Sequence, residues 1–154
     1  MSLVRRIARP LLASIFISEG VDTLRRPQLR EAVAREAIEK YVEPLGASVS
    51  PKLAVRANGA VMAVGGLLLA SGKAPRMAAT ALSASLVINT VAGHPFWSFK
   101  DPEERRTHRK AFTRNLVFLG GLLHAAVDTQ GKPSRAWLRA HRKEVRASKA
   151  SKEQ

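Results

Sequence analysis

Four apolar stretches, separated by short and densely charged connections, organise this chain. Residues 53–72, LAVRANGAVMAVGGLLLASG, would span roughly 30 Å as a helix, about the thickness of a hydrocarbon core. Its one charge, Arg56, sits near an end from which it can snorkel to headgroups. Residues 77–93 carry no charge, and neither 60–70 nor 77–88 shows a charged face. A helix that is apolar all round belongs either deep inside a large protein or in lipid, and 154 residues cannot bury several of them. Residues 4–22 and 111–128 form the outer stretches, the first interrupted by Glu19 and the second by Arg114, Asn115 and His124. The pattern predicts an all-α fold: an antiparallel four-transmembrane-helix bundle within residues 1–131, with spans at about 4–22, 53–72, 77–93 and 111–128.

Residues 28–43 have a different periodicity. Leu29, Val33, Ala34, Ala37, Ile38 and Tyr41 make one apolar stripe at helical spacing, opposite a charged face. An amphipathic helix in the first loop follows, lying on a membrane surface or capping the bundle. Gly59, Ala63 and Gly66 are spaced for close helix approach. The charged stretch around residues 100–110 reads as a solvated loop, His108 included, and Trp97 before it as an interfacial anchor.

Short connections between four spans make them run up and down. Glu19 and Asn89 then lie near the ends of spans one and three, Asn58 and Asn115 near the starts of spans two and four, and His94 and Arg114 at a similar depth. These six residues are expected to form one polar layer, with Glu19 paired to Arg114. The plainer reading of a membrane asparagine is interhelical glue, worth about 0.6 kcal/mol. For His94 it is a helix cap, and for His124 and Asp128, spaced i,i+4, it is a surface pair.

Composition sharpens this picture in two places. The absence of cysteine excludes disulfides, thiolate metal sites and a nucleophilic thiol. The net charge of +14 calls for an anionic partner, and +6 of it lies in the tail, residues 132–154. A nucleic-acid binder is the rival reading, but aromatics are 5% of the chain and no reading motif is present. Arg135, Arg139, Arg142, Lys143 and Arg146 are therefore assigned to anionic lipid headgroups, as a basic juxtamembrane tail. The basic N-terminus and this tail favour both termini on the cytoplasmic side, although Lys100, Arg105, Arg106, Arg109 and Lys110 weigh the other way. A signal-peptide reading of the N-terminus fails on Glu19 and on the lack of an A-x-A site.

No H-E-x-x-H, Walker, G-x-S-x-G or G-x-G-x-x-G motif occurs, so neither a metal site nor a catalytic constellation is expected. His94 and His124 fall at opposite ends of the predicted bundle, which argues against a two-histidine haem.

The order of short motifs resembles the DoxX family of small bacterial membrane proteins with four transmembrane helices. It rests on Arg9-Pro10-Leu11-Leu12 leading to Phe16 and Gly20, Gly65-Gly66-Leu67 with Gly72, His94-Pro95-Phe96-Trp97, and Arg114-Asn115-Leu116 with Gly120-Gly121. The family often has lysine where Arg114 stands, and its first-helix Gly-x-x-Lys is Gly20-Val21-Asp22-Thr23 here. The resemblance implies a multi-pass plasma-membrane protein, with some members linked to quinone-dependent or oxidative-stress redox systems. Two expectations follow. One is a non-catalytic accessory or scaffold subunit with a protein partner in a redox complex. The other is a redox subunit or transporter whose polar layer takes a quinone, a proton or a small substrate.

Overall fold

The structure is a computed structural model that describes residues 3–128 and residue 141. Among the described residues it contains five α-helices, two short 3-10 turns (Glu43–Leu45 and Phe96–Ser98) and no strand: α1 (Leu3–Arg25), α2 (Gln28–Tyr41), α3 (Pro51–Ser71), α4 (Pro75–Gly93) and α5 (Pro102–Val127). The lipid-binding assignments at Arg135, Arg139, Arg142, Lys143 and Arg146 lie outside the described residues.

Local chemistry sets the helix ends. Proline occupies the first helical position of α3 and α4, where its missing N–H would be unpaired in any case. Gly72 closes α3 at φ 69°, donating its N–H to the carbonyls of Leu68 and Leu69. At α5 the structure corrects the sequence reading, because most of the supposed loop at 100–110 is helix. The Asp101 carboxylate accepts the Glu104 N–H at 2.9 Å, Pro102 takes the first position, and Glu103 and Glu104 face the positive end of the dipole. This cap starts α5 well before its apolar part.

Each of α1, α3, α4 and α5 runs antiparallel to the neighbour it packs on, and the tightest seam is between α1 and α3. A Cβ placed on Gly20 would stand 2.5 Å from the Ala63 amide nitrogen and 2.8 Å from the Gly59 carbonyl oxygen. One on Gly66 would stand 2.6 Å from Ile17 Cγ1 and 3.3 Å from the Ala13 carbonyl oxygen. The spacing of Gly59, Ala63 and Gly66 is thus matched by Ala13, Ile17 and Gly20 on α1. Beside this seam Phe16, Leu69, Leu82 and Leu122 form the buried core.

Opposite the α2 end, Arg9 and Asp128 pair at 3.2 Å with side chains only 10% and 17% exposed. Arg76 Nε donates to the Ala126 carbonyl at 3.0 Å. Both cations thereby sit at the negative end of the α5 dipole. The anticipated tie between His124 and Asp128 is a backbone bond, Asp128 N–H to the His124 carbonyl, while the Asp128 carboxylate engages Arg9.

Large apolar side chains also face outward on four helices: Leu11 on α1, Leu67 on α3, Met77 and Ile88 on α4, and Val117 on α5 each expose more than half their surface. By length and composition, α3 is the one described helix apolar enough to cross a membrane, with a mean hydropathy of 1.6. Alanine, serine and threonine dilute α4, and charges near the ends dilute α1 and α5.

The seam predicts a sharp contrast between two glycines. Gly20→Ala must push the α3 backbone away, an overpacking cost of about 1–3 kcal/mol. Gly120→Ala meets nothing within 4 Å and should be neutral or mildly stabilising. Thermal unfolding of both variants in one detergent checks this; equal midpoints would contradict the close approach.

Candidate functional site

Beneath α2 lies a cavity of about 940 Å³, bounded by α1, α2, α3, α4 and α5. Its size falls within the range of about 300–1,000 Å³ common for small-molecule sites. All six residues of the expected polar layer line it: Glu19, Asn58, Asn89, His94, Arg114 and Asn115. The floor is apolar, with Phe16 and Phe118 edge to face at 6.4 Å and Met62 and Leu86 beside them. Val33, Ala34, Ala37, Ile38 and Tyr41, five of the six stripe residues on α2, form the cover.

Two of the three amides bond each other, and their remaining partners, Ser85, Met62 and Thr90, were not assigned to the layer by the sequence reading. Ser85 Oγ donates to Asn58 Oδ1 at 2.7 Å, and Asn58 Nδ2 donates to Asn89 Oδ1 at 3.0 Å. Both amide nitrogens also approach the Met62 sulfur, at 3.6 and 3.5 Å. Asn115 Nδ2 donates to Thr90 Oγ1 at 3.0 Å, and that hydroxyl donates to the Leu86 carbonyl. These bonds tie α3 to α4 and α4 to α5. No buried side-chain nitrogen or oxygen among the described residues lacks a partner. Ser85, four residues before Asn89 on the same helix face, was the available signal for this network.

Glu19 does not pair with Arg114. Its carboxylate takes Arg30 of α2, which lies three and four residues before Val33 and Ala34 on the stripe that covers the cavity. The pair is nearly half exposed, 43% for Arg30 and 46% for Glu19, so it fastens α2 without anchoring it strongly. Geometry decides the choice of partner: α2 folds back over the end of α1 and brings Arg30 to Glu19, whereas Arg114 stands on α5 at the exposed margin of the cavity. Among the described residues Arg114 makes no hydrogen bond or ion pair.

His94 caps α4, its N–H bonded to the Thr90 carbonyl, and its Nδ1 lies 3.3 Å from Nδ1 of His108. His108 is half-buried rather than solvated and stacks on Phe99 at 4.1 Å. The early start of α5 brings it there. Trp97 is about half exposed beside Phe96 and Phe112, at the corner between α4 and α5. Burial, and then the charges of His108, Arg114 and Arg30, hold the His94 imidazole below its ordinary value of 6.5. A neutral His94 also suits the Nδ1 contact, in which one ring must accept.

Because the folded protein binds the His94 proton less readily than the unfolded chain, acid favours unfolding. The stabilisation is complete above 6.5 and declines as the pH falls below that value. His94→Gln should therefore flatten the acid limb of a plot of unfolding midpoint against pH. An acid limb as steep as that of the unsubstituted protein would contradict the assignment.

A sequence model of DoxX matches residues 4–95, more than half of the chain. No curated protein and no solved structure matches. The matched stretch contains Arg9-Pro10-Leu11-Leu12, Gly65-Gly66-Leu67 and His94-Pro95, and ends before Arg114-Asn115-Leu116. The chain belongs to the DoxX family and is a membrane protein of the DoxX type.

Proposed function

We propose that this protein crosses the plasma membrane four times, through α1, α3, α4 and α5, and holds a lipid-soluble small molecule in the cavity beneath α2. On this reading it serves a membrane-associated redox system as an accessory, ligand-holding subunit without catalysis of its own. The cavity carries the proposal, since an apolar floor under a polar edge suits a molecule with a polar head and a long apolar body. A quinone is one molecule of that kind. The outward apolar side chains of four helices support the membrane placement, as does the half-exposed Trp97 at a helix corner. The basic tail would rest on anionic headgroups on the cytoplasmic side.

The spans can be tested without background, because the chain has no cysteine. Ser50→Cys, between α2 and α3, and Ala150→Cys, in the tail, should react with an impermeant reagent from opposite sides of the membrane. Labelling of both from one side would rule out four spans. For the cavity, Ala37→Trp should strip lipid-soluble molecules, quinone included, from protein purified out of native membranes. Unchanged extracts would count against a ligand site.

A further inference from the structure

We infer that the cavity selects an anionic single-chain amphiphile, whose headgroup is held by Arg114 while its chain lies over the Phe16–Phe118 floor. This deepens the proposed function and rests on its reading of the cavity as a ligand site. Three charged residues line the cavity: Glu19, Arg30 and Arg114. Glu19 is the one carboxylate among them, and Arg30 already engages it. The wall is thereby left with one positive charge that the described protein does not answer. Nothing nearby in sequence can answer it either, because α3 and α4 contain no acidic residue and α5 contains none after Glu104.

Arg114 is exposed at the cavity margin, and on the proposed four-span reading a guanidinium without a partner on α5 is costly and draws in an anion. Arg106 and Lys110 precede Arg114 at successive four-residue steps on α5 and extend the attraction from the helix start to the cavity rim. His94, uncharged in this setting, adds no second positive charge. Charge complementarity therefore calls for an anionic headgroup. The lining below the rim, Phe16, Met62, Leu86 and Phe118, offers only apolar contact and suits an acyl chain. Exposed Val87 and Ile88 on α4 border the same opening and give such a chain an apolar way in from lipid.

The test uses the full-length protein in a neutral detergent, with native mass spectrometry reading retention of three probes that share a chain of about sixteen carbons: palmitate, 1-palmitoyl-lysophosphatidate and hexadecanol. Palmitate or lysophosphatidate should be retained more strongly than hexadecanol, and the ratio of the two anions identifies a carboxylate or a phosphate headgroup. Arg114→Gln should weaken the preferred anion about tenfold or more and leave hexadecanol unchanged, as expected for a lost charge-assisted hydrogen bond. Arg114→Lys should keep part of the preference. Ala37→Trp, checked by circular dichroism for intact helix content, should lose all three probes. Hexadecanol retained as well as the anions, or Arg114→Gln without effect, overturns the anionic ligand and leaves the cavity reading standing. No probe retained, or Ala37→Trp without effect, overturns both.

Discussion

At Gly20 and Gly66 the backbones of α1 and α3 come so close that a methyl group would not fit, and the rest of the arrangement depends on that contact. In lipid, apolar side chains gain little from leaving one hydrocarbon surface for another. On the proposed membrane reading, close backbone approach, with the dispersion contacts it allows, is what remains to hold α1 and α3 together. Toward the α2 end, α1 meets α5 through the edge-to-face contact of Phe16 and Phe118. At the other end Arg9 and Asp128 close the same pair of helices. The space between these constraints is the cavity, and α2 covers it.

Polar groups in this interior divide by whether the fold uses them. Asn58, Asn89 and Asn115 are engaged with Ser85, one another and Thr90, so their first role is to register α3, α4 and α5. Glu19 and Arg30 join α1 to the covering helix. Arg114 is left over among the described residues, and a charge left over beside a cavity is what a ligand can recognise. The same folding logic therefore supplies both the stability of the interior and the chemistry of its rim.

Much of this was legible in the sequence, for identifiable reasons. Apolar periodicity and proline–glycine punctuation located α1, α2, α3 and α4 within a few residues, and up-and-down connectivity brought six distant polar residues to one cavity. The start of α5 was misread because its charges suggested a loop, although Asp101-Pro102-Glu103-Glu104 is a capping signal. That error also hid the contact of His108 with His94. The partner of Glu19 was misassigned because α2 was left between a membrane-surface helix and a cap of the bundle, and Arg30 was not weighed as a partner in either case. Whether a polar residue is spent on packing or left for a ligand depends on tertiary neighbours such as Ser85 and Thr90, which periodicity does not pair.

The central claim is that Glu19 serves the covering helix and leaves Arg114 unanswered. Hydrogen exchange of the amides in residues 28–41, measured on the protein in nanodiscs, tests it directly. Glu19→Gln and Arg30→Gln should each speed exchange across α2, the double variant should exchange no faster than either single one, and Arg114→Gln should leave α2 protected. Faster exchange of α2 in Arg114→Gln, or unchanged exchange in Glu19→Gln, would contradict the account.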